Sequence, residues 1–278
     1  MGQFETSDGA RIAFADDGEG RALVLLHGLM ANRSFFAAQS ELEADFRIIS
    51  VDLRGHGESR SGSQAATVRR MAADIEELLE ALDVRDAIGI GWSLGASVLW
   101  HVLTGPAGDR FSAAIVIDMT PRVLNDEDWS LGLSQEHCSA RADAIRCDFK
   151  SFAQSAGAAI FAQPEGEDRE SLRAWAGEAF ARNDPAEIGA TWASLVAEDF
   201  RPLLPLIRQP TLIVHGTNSH LYGADTADHL VAALPNAHAV AFDRSGHSPH
   251  IEQPELFNRT VRDFAATLPR VRETQATN

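Results

Sequence analysis

The chain is poor in the residues that mark disulfide-rich and membrane proteins. Only two cysteines, Cys138 and Cys147, occur in 278 residues, and no histidine pair lies near them. Their spacing fits neither a zinc site nor a disulfide framework, so we expect free thiols. No apolar run reaches the length of a membrane span, and the start, Met1-Gly2-Gln3-Phe4-Glu5, lacks the basic and apolar regions of a signal peptide. These absences predict a cytoplasmic protein.

Positive charge is also scarce. The chain has 24 Lys and Arg against 40 Asp and Glu, a formal net charge of −16. Such a charge repels phosphate backbones and anionic membranes, so neither nucleic acid nor a membrane is an expected partner. With 45% hydrophobic and 23% charged residues, the composition is that of a globular protein. The length suffices for one large α/β domain with an insertion, or for two small domains.

Strand-like and helix-like segments alternate at both ends of the chain, which predicts a mainly parallel sheet of eight strands with right-handed crossovers. The apolar run Ala22-Leu23-Val24-Leu25-Leu26 is typical of a strand buried on both faces. The predicted strands are 4–6, 11–15, 22–26, 47–51, 86–90, 113–117, 211–214 and 238–242. The predicted flanking helices are 33–44, 64–82, 94–102, 224–234 and 254–267, followed by a frayed tail at 270–278.

Between about 121 and 210 the strand pattern disappears. We expect helices at 126–133, 137–162, 168–182 and 185–199, with breaks at Gln163-Pro164-Glu165-Gly166 and Asn183-Asp184-Pro185. This block predicts a helical cap domain at 121–204, inserted into a core domain made of 1–120 and 205–278. Most of its aromatic residues should form the core of the cap and the rest should face a pocket; they are Trp129, Phe149, Phe152, Phe161, Trp175, Phe180 and Trp192.

The stretch Gly91-Trp92-Ser93-Leu94-Gly95 places a serine between a predicted strand and a predicted helix. A sharp turn there would strain Ser93 and expose its hydroxyl at the carboxyl edge of the sheet, and glycines at 91 and 95 would let strand and helix pass closely. The alternative is a chance Gly-x-Ser-x-Gly string in a loop. The flanking elements favour a nucleophile elbow.

A serine hydroxyl attacks a carbonyl only when a base takes its proton. His247 is the strongest candidate, since it follows the last predicted strand in the loop Ser245-Gly246-His247. The alternative is a histidine of a surface loop. His250 is the nearest rival, and we expect it to pack against the site or line it.

Four motifs together resemble the α/β-hydrolase superfamily, in order and at family-like separations over nearly the whole chain. They are His27-Gly28, the run Asp52-Leu53-Arg54-Gly55-His56-Gly57-Glu58-Ser59, Gly91-Trp92-Ser93-Leu94-Gly95, and Gly246-His247. The resemblance implies an α/β-hydrolase fold with a helical cap. It also implies that the main-chain N–H groups of Leu29 and Leu94 form an oxyanion hole. In this family the 52–59 run resembles a structural turn, so Asp52 and His56 are not expected to be a catalytic pair.

The acid of the triad departs from the common pattern. Family members often carry it four residues after a His-Gly histidine, a position that Ser219 occupies here. Some members, including pancreatic lipases and the fungal lactonases that open zearalenone, place it after the preceding strand, where Asp118 stands. We therefore favour Asp118, with Asp225 as second choice and a weak dyad aided by Asn218 as third. The alternative role of Asp118 is to cap the turn into Thr120-Pro121.

The predicted function is hydrolysis of a carboxylic ester or lactone by Ser93, His247 and Asp118, without a metal or cofactor. The acid position favours lactones by analogy of placement alone. We expect a small apolar or partly aromatic substrate, and a pocket that includes Met30, Trp92, Trp129 and His250. The alternatives are a carbon–carbon bond hydrolase, a cofactor-free perhydrolase, and a non-catalytic ligand receptor. The sequence leaves the oligomeric state open.

Overall fold

A computed structural model describes residues 1–163 and 169–269, and an eight-stranded sheet lies at its centre. The predicted tail at 270–278 and residues 164–166 of the predicted break lie outside the described residues. The strand order is β1-β2-β4-β3-β5-β6-β7-β8, and only β1–β2 and β2–β4 pair antiparallel. The strands are β1 Gly2–Glu5, β2 Arg11–Asp17, β3 Ala22–Leu26, β4 Arg47–Val51, β5 Ala87–Trp92, β6 Phe111–Ile117, β7 Thr211–Gly216 and β8 Ala237–Phe242.

Helices flank this sheet as the alternating pattern predicted. A 3₁₀ segment, Arg33–Ala44, stands where a helix was expected and is interrupted at Phe36, whose φ is −103°. The α-helices of the described residues are α1 Val68–Ala81, α2 Leu94–Thr104, α3 Gln135–Cys147, α4 Phe149–Ala159, α5 Glu170–Phe180, α6 Pro185–Ala197, α7 Ala224–Ala233, α8 Pro249–Glu252 and α9 Pro254–Thr267. The short helix α8 was not predicted.

Two helix predictions between β6 and β7 are wrong. Residues 126–133 form turns, because Asp126 accepts a hydrogen bond from Asp128 N (3.0 Å) and Asn125 accepts one from Gly132 N (2.7 Å). Short polar side chains of this kind compete with helical hydrogen bonds for the backbone. The single helix expected at 137–162 is divided into α3 and α4 at Asp148, whose φ of −147° and ψ of 61° are not helical.

The central strand of the sheet is fully buried and pairs in parallel with both neighbours. All six residues of β5 are buried, and β5 pairs in parallel with β3 and β6. Parallel neighbours bring their carboxyl ends to one edge of the sheet. Residues that follow β3, β5, β6 and β7 therefore meet there.

The α3–α6 segment lies between β6 and β7 in the chain, and within it α4 packs on α5 and α3 on α6. Both cysteines are free thiols, as predicted, with Cys138 buried and Cys147 exposed. Among residues 1–163 and 169–269, the helices are too short or too polar to cross a membrane.

Candidate active site

Ser93 occupies a strained turn between β5 and α2. Its φ of 53° and ψ of −118° lie in the region that favours glycine. The turn is held because Ser93 N donates to Ile117 O of the neighbouring strand β6 at 3.0 Å. The predicted elbow geometry is therefore present at residue 93.

The two glycines of the elbow are required by close contacts. A Cβ on residue 95 would lie 2.0 Å from Leu26 O, and one on residue 91 would lie 2.6 Å from the Cα of Ala96. Real Cβ atoms do not approach other atoms so closely, so any side chain there would push α2 away from β5 and β3.

Asp118 and His247 meet by a buried hydrogen bond. His247 Nδ1 lies 2.6 Å from Asp118 Oδ2, and the two side chains are 4% and 1% exposed. Asp118 directly follows β6, has a φ of 44°, and is fixed by its N–H, which donates to Val214 O of β7. The carboxylate therefore binds the imidazole instead of capping the turn that follows it.

Ser219 stands at the position where an acid was expected, and it contacts the carboxylate that replaces that acid. Its Oγ donates to Asp118 Oδ2 at 2.7 Å, the same oxygen that His247 contacts. No sequence pattern predicted this hydrogen bond, because it joins residues 101 positions apart. Ser219 thus helps to hold the carboxylate of Asp118, the candidate acid.

The other residues that were considered as partners of the histidine are exposed or make other hydrogen bonds. Asp225 is exposed in the first turn of α7, and the Asn218 side chain donates to Asp243 O. Asp52 accepts hydrogen bonds from the N–H groups of Arg33 and Glu58, which holds the 52–59 loop. Among the described residues, none of these polar side chains hydrogen-bonds His247.

The backbone of His247 is held from two sides. The Trp92 indole Nε1 donates to His247 O at 2.8 Å, and His247 N donates to Ile160 O, just after α4, at 3.0 Å. Trp92 precedes Ser93, so one side chain links the elbow to the histidine loop. The backbone of the candidate base is therefore held by both the sheet and the α3–α6 segment.

Glu252 on α8 fixes the same loop and was missed by sequence reasoning. Its carboxylate accepts from Gly246 N and Ser248 N on both sides of the histidine, from Ala162 N, and from the Arg169 guanidinium. Burial raises the pKa of Glu252, and these donors oppose that shift. The only feature of the sequence that points to Glu252 is its position one helical turn after Ser248.

Two main-chain N–H groups beside Ser93 are free to bind an oxyanion. In the described part of the chain, the amides of Leu29 and Leu94 donate to no carbonyl or side chain. A Cβ on Gly28 would lie 3.3 Å from Ser93 Cβ, so the loop after β3 passes close to the elbow. This arrangement fits the predicted oxyanion hole.

A cavity of about 240 Å³ contains Ser93 and His247 in its lining. Met30, Leu29 and Trp92 border it on the sheet side, while Phe152, Phe180 and Trp192 border it from α4, α5 and α6. Arg141, Leu221 and Tyr222 also line the cavity. Sequence reasoning had singled out none of these three. Because these residues are far from Ser93 in the sequence, no local pattern links them to it.

Two residues of the predicted pocket, Trp129 and His250, do not line this cavity, and His250 instead packs against the site. The Trp129 ring packs edge-on against His229, and its Nε1 donates to Arg122 O at 2.8 Å, so it braces the polar turns at 126–133. His250 lies beneath Trp92, with ring centroids 4.9 Å apart, and neither residue 129 nor 250 borders the cavity. Burial lowers the pKa of His250 to about 3, which keeps the ring neutral.

No group of three or more His, Cys, Asp or Glu residues suited to a metal ion occurs within residues 1–163 and 169–269. The chemistry that these residues can perform on their own is nucleophilic. Ser93, His247 and Leu29 line one cavity, the imidazole is hydrogen-bonded to a carboxylate, and the Leu94 amide directly follows Ser93 in the chain. Together they are equipped for acyl transfer.

Known proteins with similar sequences and structures include several esterases. A pimeloyl-(acyl-carrier protein) methyl ester esterase of Nitrosomonas europaea is 29% identical over 253 residues, which cover 89% of this chain and 97% of that protein. The esterase EaEST from Exiguobacterium antarcticum is 25% identical with a TM-score of 0.90, covering 95% of this chain and 99% of that one. An enol-lactonase from Burkholderia xenovorans shares the fold, with a TM-score of 0.85, 24% identity, and coverage of 95% and 100%.

A family model described as the alpha/beta hydrolase family matches residues 23–260. This match spans β3 to α9, including the elbow, the carboxylate and the histidine loop. The chain therefore belongs to the alpha/beta hydrolase family.

Proposed function

We propose that this hydrolase cleaves carboxylic esters through an acyl-enzyme on Ser93. The observation that carries the proposal is the hydrogen bond between His247 Nδ1 and Asp118 Oδ2, made at the cavity that Ser93 also lines. That bond fixes the proton on Nδ1, so Nε2 is left as the acceptor that a serine hydroxyl needs. Similarity to proteins named as esterases supports the same activity.

Each step then has a residue to perform it. Ser93 Oγ attacks the ester carbonyl while His247 Nε2 takes its proton, and the Leu29 and Leu94 amides bind the negative oxygen of the tetrahedral intermediate. The intermediate collapses to the acyl-enzyme, and the imidazolium gives its proton to the departing alcohol. Water, deprotonated by His247, attacks the acyl-enzyme and releases the acid. Asp118 stabilises the imidazolium in both halves of the reaction.

Residues 121–204 act in this proposal as a cap domain over the core domain of 1–120 and 205–278. Phe152, Phe180 and Trp192 reach the cavity from helices of that range, and Ile160 O holds His247 N. The cap thus both shapes the acyl site and positions the base. The apolar side chains of this wall lower the local dielectric, which strengthens the two hydrogen bonds to the oxyanion.

A set of short p-nitrophenyl esters, with a lactone panel beside it, tests the activity. Ser93→Ala should lower kcat by at least ~10³-fold, because no other hydroxyl occupies the elbow. Ser97→Ala is the matched control, since Ser97 lies buried in the first turn of α2, just after the elbow, and its hydroxyl has no hydrogen-bond partner among the described residues. Hydrolysis of no ester or lactone, or equal rates in Ser93→Ala and wild type, would refute the proposal. Faster opening of lactones than of matched esters would identify a lactonase.

A further inference from the structure

Arg141 brings a positive charge to the wall of the active-site cavity. It lies on α3 and also lines an adjoining cavity of about 370 Å³, which shares Arg141, Phe152 and Leu221 with the first. Among the residues that the structure describes, neither wall contains an Asp or a Glu. In the described part of the chain, no carboxylate lies within salt-bridge distance of Arg141. Within residues 1–163 and 169–269, Arg141 therefore has no carboxylate partner at the junction of the two cavities.

The guanidinium is held in place by an aromatic ring. Arg141 Cζ lies 5.6 Å from the centroid of Trp192 on α6, a distance at which a cation is attracted to the ring face. Trp192 is 4% exposed, and its Nε1 donates to Cys138 O, one turn before Arg141 on α3. A guanidinium fixed in this way loses little conformational freedom when it binds an anion.

A neutral donor stands in the same cavity. Tyr222 lies edge-on to His247, with ring centroids 6.0 Å apart, and its hydroxyl has no hydrogen-bond partner among the described residues. Burial raises the pKa of Tyr222, and the positive charge of Arg141 only partly opposes this shift. The phenol therefore stays protonated at neutral pH and can donate to an anion or to an ester oxygen.

We propose that Arg141 binds a carboxylate of the substrate, so that the preferred substrates are half-esters of short dicarboxylic acids or lactones that bear a carboxylate. One guanidinium matches one carboxylate by two parallel hydrogen bonds. Ser93 and Arg141 line the same cavity of about 240 Å³, so a ligand with a short chain between its ester carbonyl and its carboxylate can reach both. This proposal departs from the expectation of an apolar or partly aromatic substrate. The cleavage of these half-esters rests on the proposed ester hydrolysis, whereas the binding of their carboxylate to Arg141 does not.

Binding to a catalytically inert variant tests the subsite directly. Ser93→Ala is titrated by calorimetry with monomethyl adipate and with methyl hexanoate, which differ only by a carboxylate in place of a methyl group. We expect roughly 10- to 100-fold tighter binding of monomethyl adipate, as for a charge-assisted pair shielded from water. Adding Arg141→Gln should abolish the preference, and adding Arg141→Lys should restore part of it. Arg146→Gln is the matched control, because Arg146 lies exposed on the same helix, paired with Asp143.

Equal binding of the two esters, binding of neither, or an unchanged preference in Arg141→Gln would overturn the proposal. Hydrolysis of both esters is measured in parallel on the enzyme that retains Ser93. If neither is cleaved while the Arg141-dependent binding persists, the proposed hydrolysis fails and the carboxylate subsite stands. If both are cleaved at equal kcat/KM and the binding shows no preference, the subsite fails and the hydrolysis stands.

Discussion

Replacing Asp118 by Asn should almost abolish ester hydrolysis. Oδ2 of Asp118 accepts from His247 Nδ1 at 2.6 Å and from Ser219 Oγ at 2.7 Å. If the Asn oxygen keeps both bonds, its NH₂ replaces Oδ1, which is buried without a partner among the described residues. If the amide is turned around, its N–H faces Nδ1, and the proton moves to Nε2, where the base is needed. In either orientation the imidazolium loses its counter-charge.

We expect a fall in kcat of about 10⁴-fold, or about 5.4 kcal/mol of transition-state stabilisation at 1.36 kcal/mol per decade. Stopped-flow and steady-state hydrolysis of a p-nitrophenyl ester measures it, with the melting temperature as a check on folding. Asp225→Asn is the control, because that exposed carboxylate is the rival acid, and it should change kcat less than twofold. A folded Asp118→Asn enzyme that keeps more than a tenth of the wild-type kcat would refute this assignment.

The position of the acid can also be tested by moving it. In an Asp118→Ala background, Ser219→Asp should recover at least about tenfold in kcat, because Ser219 Oγ already lies within hydrogen-bond distance of the carboxylate that is removed. Ser219→Asn in the same background supplies the shape without the charge and should recover nothing. Equal rates in the two double variants would show that no charge is needed behind His247.

Three further changes have defined outcomes. Ser219→Ala should lower kcat by no more than about tenfold, since it removes one donor to Asp118 but leaves the carboxylate in place. Glu252→Gln should lower kcat about tenfold and the melting temperature by roughly 5 °C, because an amide cannot accept from all the N–H groups that hold the His247 loop. The pKa of His250 is lowered to about 3, so between pH 6.5 and 3 the unfolded chain binds a proton that the folded chain does not. Stability therefore falls as the pH drops through this range, and His250→Phe should recover about 2 kcal/mol of it at pH 5.

Each of these has a result that contradicts it. A 10⁴-fold loss in Ser219→Ala would make the serine as necessary as the acid. Glu255→Gln, on the exposed side of α9, is the control for Glu252→Gln, and equal effects of the two would show that the loop contacts are unimportant. For His250→Phe, the free energy of unfolding is measured in urea at pH 7 and at pH 5, and its gain over wild type must be larger at pH 5. The same gain at both pH values would rule out protonation as the cause.

Much of the fold follows from local pattern alone. The strands at 22–26 and 47–51 were predicted to the residue. The first is a continuous apolar run, as in a buried parallel strand, and the second is rich in β-branched residues. The elbow was predictable for a similar reason, since two glycines at fixed spacing are what the contacts of residues 91 and 95 require. Patterns failed at 126–133, where side-chain hydrogen bonds of Asp126 and Asn125 outweighed helix propensity.

The site was only partly predictable, because its remaining parts depend on long-range contacts. The meeting of Asp118 with His247 follows from strand order, but the donation from Ser219 and the stacking of Arg141 on Trp192 depend on how separate elements pack. Trp129 and His250 were placed in the pocket by residue type alone. Their rings instead bury against His229 and Trp92, a choice that no periodicity encodes.

The central claim is that Ser93 is a nucleophile activated by His247. Mass spectrometry of the enzyme after treatment with a fluorophosphonate tests it most directly, because this reagent phosphonylates only an activated serine. The account predicts one adduct per chain, mapped to the peptide that contains residue 93, absent in Ser93→Ala and strongly slowed in His247→Ala. An adduct on another residue, or none on the folded wild-type enzyme, would contradict it.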